Sequence, residues 1–184
     1  MPLSRGLHAF LEAGGVIAYP TESIFGLGCD PSNRRAVQKI LRLKGRPQRK
    51  GLILVADTYD KLKPYVAPVS AAQLAQMLDS WQPGARGHTW LVPAASDCPK
   101  WLTGQHKTIA IRVTSHALTK HLCQSANMAL VSTSANRSGC QPARTTRECY
   151  RLFGHQVRVI PGRTGRAKKP SRIQDLQTGR IIRP

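Results

Sequence analysis

The amino-acid sequence predicts one α/β domain built on a twisted mixed β-sheet flanked by helices. Short apolar runs suited to buried strands alternate with segments whose apolar residues recur at helical spacing. Hydrophobic residues at 41% and charged residues at 20% lie in the globular range, and no low-complexity tract, repeat or linker divides the chain. A chain of 184 residues also suffices to bury roughly 70% of its unfolded surface as a single unit, residues 1–184.

The elements follow in order. Ser4 is a cap candidate for a first helix with Leu7, Phe10 and Leu11 on one face, stopped by Gly14 and Gly15. Val16 to Tyr19 reads as a buried strand. Asn33 caps a second helix carrying Val37, Ile40 and Leu41; Gly45 and Pro47 end it just past Lys44, which puts Lys44 and Arg46 at a helix exit. Leu52 to Ala56 is a strand, and Ala71 to Leu78 a helix capped by Ser70 with Leu74, Met77 and Leu78 inward. After a loop at 82–88, strands are predicted at Thr89 to Val92, Ile109 to Val113, Leu130 to Thr133 and Val157 to Ile160. Helices are predicted at Ala117 to Gln124 and Thr146 to Phe153. Ser171 to Arg183 reads as a hairpin turning at Gln177, Thr178 and Gly179.

Charge narrows the partners. The sequence carries 28 Lys and Arg against 9 Asp and Glu, a formal net charge of +19, which favours anions such as nucleotides, RNA or acidic lipid. The excess is spread along the chain, with modest clusters at Arg34 to Lys50 and Arg163 to Arg172, which suits a folded basic face or concavity better than a basic tail. Five cysteines with no C-x-x-C pair, and an amino terminus without an apolar h-region, point to the cytoplasm. No apolar run approaches the ~18 residues a membrane span needs. The histidines and cysteines lack zinc spacing, so no zinc and no protein-held metal is expected. Phosphate-loop, dinucleotide-fold, zincin and hydrolase-elbow motifs are all missing from the sequence.

Four stretches carry chemistry. YPTESIFGLG, 19–28, follows a strand with hydroxyls and glycines that let backbone approach a small ligand, or that make an ordinary strand-to-helix turn. KGRP, 44–47, extended by Arg49 and Lys50, offers cations that can grip a polyphosphate, or equally a solvated basic surface. STSANRSG, 132–139, opens a strand into hydroxyls, an amide and free N–H groups, suited to phosphate oxygens or to a self-satisfied turn. IAIRV, 109–113, sets Arg112 in an apolar run, where it must face a cavity, a ligand or an acidic partner.

Taken together and in order, YPTESIFGLGCDP, LKGRP with GLILVA, WLTG, IAIRV, LVSTSANRSG and the terminal PSRIQDL and IIRP resemble the YrdC/TsaC family of threonylcarbamoyl-AMP synthases, in its short single-domain form. The resemblance implies a YrdC-like domain with a basic concave pocket. It implies an enzyme that joins L-threonine, bicarbonate and ATP into threonylcarbamoyl-AMP and pyrophosphate. A partner threonylcarbamoyl transferase complex then modifies tRNAs reading ANN codons. Carried over by motif, Lys44 and Arg46 are the catalytic phosphate clamp; Lys50, Thr108, Ser134, Asn136 and Arg183 join them in binding ATP. Thr21, Ser23, Arg112, Ser132 and Ser171 fall at the threonine pocket. ATP is a substrate, and Mg²⁺ is expected on its phosphates.

Some positions depart from the family pattern. Ser23 and Phe25 stand where many relatives have threonine and tyrosine, Arg86 with Gly87 reads as an insertion before Thr89, and Arg172 replaces a threonine. The alternative reading is a non-catalytic basic protein of the same fold that contacts tRNA or double-stranded RNA, with a role in ribosome maturation.

Overall fold

The computed structural model describes residues 3–85, 87–165, 167 and 170–184, with side chains from residue 6. Nine strands form within them: β1 (Ile17–Pro20), β2 (Phe25–Gly28), β3 (Ile53–Ala56), β4 (His88–Pro93), β5 (Thr108–Val113), β6 (Leu130–Ser134), β7 (Arg158–Val159), β8 (Arg172–Asp175) and β9 (Ile181–Arg183). They join one sheet in the order β7, β1, β2, β6, β3, β5, β4, β8, β9. The pairs β1/β7, β3/β5 and β4/β8 are parallel and the remainder antiparallel, so the sheet is mixed.

Strand side chains alternate between two faces, and the helices divide accordingly. On one face α1 (Leu3–Glu12) and α5 (Ala117–Ala126) bring Leu7, Leu11, Leu122 and Ala126 onto Ile17, Tyr19, Val55 and Leu130. On the other, α2 (Arg34–Lys44), α3 (Ala71–Ser80), α4 (Lys100–Thr103) and α6 (Thr146–Phe153) bring Val37, Ile40, Met77, Leu102 and Phe153 to a larger core. Its strand contribution is Ala18, Leu27, Leu54, Trp90, Ile111 and Val131.

Local chemistry fixes the helix ends. Asn33 accepts from the Ala36 N–H at 3.1 Å and donates its amide to the Glu12 carbonyl at 2.9 Å, so one side chain starts α2 and ties it to α1. Gly45, with φ +59°, closes α2 in the left-handed conformation that glycine adopts without strain. Capping boxes start α3 (Ser70 with Gln73) and α6 (Thr145 with Glu148). Asn33→Ala should lower stability by about 1 kcal/mol, read as a fall in thermal midpoint without loss of cooperativity.

Several expectations need correction. The first helix begins at Leu3, so Ser4 lies inside it instead of capping it. Leu78 is 42% exposed: Met77 takes the inward position on α3. Phe25–Gly28, read as part of a ligand loop, is a strand that makes a hairpin with β1. The 157–160 run pairs only at Arg158–Val159, although Val157 and Ile160 are buried beside it. The short helix α4 was not foreseen. The terminal hairpin forms as expected, β8 against β9.

Candidate active site

The two helices α1 and α5 cover only one end of their sheet face. Beyond them the same face is the floor of a cavity of about 420 Å³. Register explains which residues reach it. Ile53 lies opposite Ala110 and Ser132, and Val55 opposite Arg112, so period-two alternation sends all five to this face. Ser134, opposite Gly26, and Leu91, opposite Ala110, extend the floor on either side.

One wall is the β1–β2 hairpin. The Thr21 N–H and hydroxyl both donate to the Ile24 carbonyl, at 2.9 and 2.8 Å, closing the turn. Ser23 lines the cavity, and among the described residues its hydroxyl makes no hydrogen bond, so its capacity is open to a ligand. The buried Tyr19 hydroxyl donates to Ser132 Oγ at 2.9 Å; burial pushes the Tyr19 phenol up, keeping it a donor. A side chain at Gly28 would meet the Tyr19 ring at 2.7 Å and the Val131 carbonyl at 2.8 Å, which is why this strand is glycine-rich.

The opposite wall is the segment after α2. Lys44 is 97% buried, with 3% of its surface exposed. Its ammonium donates to the Ser134 carbonyl and to the Asn136 carbonyl and side-chain oxygens at 2.9 and 3.2 Å, with Ser134 Oγ at 3.4 Å. Burial, then the neighbouring Arg46 charge, pulls Lys44 down to about 8. Arg46 donates to the Gly51 carbonyl at 2.9 Å, while its Nε is buried and has no partner among the described residues. The WLTG turn clamps this segment: Leu52 N–H donates to the Leu102 carbonyl and Gln105 N–H to the Arg49 carbonyl. Gly51 and Gly104, with φ +62° and +64°, let the two backbones meet; a Cβ on Gly104 would stand 2.5 Å from the Arg49 oxygen.

On the floor Arg112 pairs with Glu22 at 2.6 Å, and the Thr114 hydroxyl donates to the other Glu22 oxygen at 2.8 Å. Burial alone would raise the Glu22 carboxyl, but the Arg112 charge and the Thr114 hydroxyl outweigh it and hold it below the usual carboxylate value. Overhead, Ser171 shares a 2.9 Å hydrogen bond with Thr89, and the Arg183 guanidinium grips the Ser171 carbonyl at 2.9 and 2.7 Å.

Thr21, Ser23, Arg46, Lys50, Thr108, Arg112, Ser132, Ser134, Ser171 and Arg183 thus line one cavity. Lys44 and Asn136 do not line it: they stand behind Ser134 and hold its turn. Thr103 and His106 also line the wall; the sequence motifs give them no role, although Thr103 belongs to WLTG. Arg46, Lys50, Arg112 and Arg183 make the lining cationic; among the described residues no carboxylate lines the cavity, and Glu22 bonds Arg112 from behind the lining. Arg86, of the insertion before Thr89, and Arg166, Lys168 and Lys169, of the second basic cluster, lie outside the described residues. No group of three His, Cys, Asp or Glu among the described residues could hold a metal ion.

The model of the Sua5/YciO/YrdC family, described as "Telomere recombination", matches residues 9–184. The chain belongs to this family. Its sequence is similar to two curated proteins named threonylcarbamoyl-AMP synthase. One, from Methylobacillus flagellatus, is 59% identical over 98% of this chain and 99% of its own length. The other, from Thiobacillus denitrificans, is 53% identical over 97% of this chain and 93% of its own. Among solved structures of the family, P. abyssi Sua5 complexed with L-threonine superposes with a TM-score of 0.88 at 25% identity, covering 98% of this chain. The chain spans about half, 53%, of that longer Sua5 chain. Among the described residues, no helix of this family member is long and apolar enough to cross a membrane.

Proposed function

We propose that this protein condenses L-threonine, bicarbonate and ATP into threonylcarbamoyl-AMP and pyrophosphate, in the cytoplasm, for threonylcarbamoyladenosine modification of tRNAs reading ANN codons. The observation that carries this reading is the gathering of four cations and a set of hydroxyls, with no lining carboxylate, around one cavity in a chain 59% identical to a named synthase. The catalytic reading therefore stands ahead of a non-catalytic RNA-binding role.

The chemistry divides the cavity. Threonine's amine and bicarbonate give a carbamate and water; a carbamate oxygen then attacks the α-phosphorus of ATP, and pyrophosphate leaves. Both reactants are anions, so fixed cations must offset their repulsion, and positioning with charge stabilisation supplies most of the catalysis. Arg112, Ser23, Thr21, Ser132 and Ser171 form the threonine end. Arg46, Lys50, Thr108, Ser134 and Arg183 form the ATP end. Lys44 and Asn136 act there by setting the Ser134 turn. Among the described residues the lining offers Mg²⁺ no carboxylate, so Mg²⁺ would be held by the nucleotide's phosphates and water. The product then passes to a transferase complex, with tRNA contact following from the positive surface.

Pyrophosphate release from ATP, with threonine and bicarbonate omitted in turn, tests the proposal. Turnover should require both, and turnover indifferent to threonine would sink it. Arg46→Ala should fold normally yet lose about 10²-fold or more in turnover; full activity would remove Arg46 from the ATP end.

A further inference from the structure

Glu22 is an acidic side chain bonded to one of the cavity's cations, Arg112. It does not line the cavity. Its two oxygens are divided: one takes Arg112 Nη2 at 2.6 Å, the other takes the Thr114 hydroxyl at 2.8 Å. Thr114 Oγ accepts from the His116 N–H at 3.1 Å, His116 caps α5, and Thr119 of α5 donates back to the Pro20 carbonyl at 3.0 Å. The turn holding Glu22 is thereby closed in a ring with the end of β5. Its backbone is fixed too. Gly165 N–H donates to the Thr21 carbonyl at 2.8 Å and Ala167 N–H to the Glu22 carbonyl at 3.0 Å. A Cβ on Gly165 would stand 2.6 Å from the Glu22 oxygen.

A carboxylate held from so many sides is a rigid stop for a long, otherwise mobile side chain. With Nη2 committed to Glu22, the other terminal nitrogen of Arg112 lies on the Gly87 and Ser171 side. A Cβ on Gly87 would be 3.6 Å from Arg112 Nη1 and 3.6 Å from the Ser171 Cβ. We propose that Glu22 is a positioning residue for amino-acid recognition: it holds Arg112 so that the guanidinium's free edge meets the substrate's carboxylate beside Ser171. This rests on the reading of the cavity as the threonylcarbamoyl-AMP synthase site. Glu22 makes no substrate contact; its effect passes wholly through the angle and reach of Arg112, and a shorter or absent anchor leaves the cation present but misplaced.

Three variants separate placement from charge. Glu22→Ala removes the anchor and should raise KM for threonine about ten- to hundredfold, as expected for a lost charge-assisted hydrogen bond, with KM for ATP changed by less than about twofold. Glu22→Gln keeps an acceptor oxygen at the same reach and should stay within about threefold of the parent in threonine KM. Glu22→Asp keeps the charge but withdraws it by one methylene, so it should fall between them, and it carries the test where the alanine variant fails to fold. Threonine titration by calorimetry should give the same order without turnover. An unchanged threonine KM in Glu22→Ala, or threonine and ATP KM rising in parallel, overturns the proposal. Gln as poor as Ala overturns it too, by making charge decisive over placement. A parent protein whose pyrophosphate release ignores threonine removes the functional reading itself, and is told apart because it is seen before any variant is made.

Discussion

Lys44→Ala should lower turnover by about 10²- to 10³-fold and also lower stability by about 2 kcal/mol, measured by pyrophosphate release and by denaturant unfolding of the same preparation. The double effect follows from where the ammonium sits. It donates to the carbonyl oxygens of Ser134 and Asn136, which the truncation leaves buried without a donor. A residue that touched only ATP would show the first effect without the second. Lys44 also predicts opposite pH dependences. Its value is lowered to about 8 from the ordinary 10.5, so between those limits the unfolded chain binds more protons than the folded one. This group's contribution to stability therefore rises with pH across that window. Turnover should fall over the same range, with a midpoint near 8, because the neutral amine has one donor fewer for the turn. An alkaline limb on which activity and stability fall together would contradict this account.

Gly104→Ala should be nearly as damaging, although residue 104 does not line the cavity. Its φ of +64° with ψ of −126° suits glycine alone, and a Cβ would stand 2.5 and 2.6 Å from the Arg49 and Gln48 carbonyl oxygens. Backbone cannot retreat as a flexible side chain can, so the 48–50 turn must shift, carrying Lys50 and the Gly51 carbonyl that receives Arg46. A loss of about 3 kcal/mol in stability is expected from strain and clash. A displacement on the order of 1 Å at these cations should reduce turnover by about 10²-fold. Comparison of melting curves with ATP-dependent turnover checks both; a variant with normal ATP KM and normal turnover would show that WLTG does not hold the clamp.

What could be read from the sequence was local. Asn33 before an apolar stripe and Gly45 after it place α2 and Lys44 at its exit, because caps act within one turn of their own helix. The Ser70 and Thr145 caps are legible for the same reason. The strand at Phe25–Gly28 was hidden because its two glycines mimic a loop. Gly28 is required by a Tyr19 ring and a β6 carbonyl that approach only once the sheet exists. Leu78 lies outside the buried stripe although it has helical spacing, because spacing alone does not show where a helix's apolar stripe ends. At the site, the ordered motifs name residues that line one cavity, but also Lys44 and Asn136, which stand behind it, and they pass over Thr103 and His106. Lys44 reads as a free phosphate ligand until partners 90 and 92 positions away claim its ammonium. Arg112 had an acidic partner among its sequence-level options. The identity of that partner, Glu22, depends on the hairpin turn folding back over β5.

The uncovered end of the sheet face sets folding and function in competition for the same surface. Ile53, Leu91 and Ala110 would ordinarily be shielded by another helix; here they are left as the floor of the cavity. Enlarging Ala110 would fill that space and improve packing, yet take it from the ligand. Stability gained there is bought with activity, so selection for a sturdier protein has to act elsewhere, on caps, turns or the far face of the sheet.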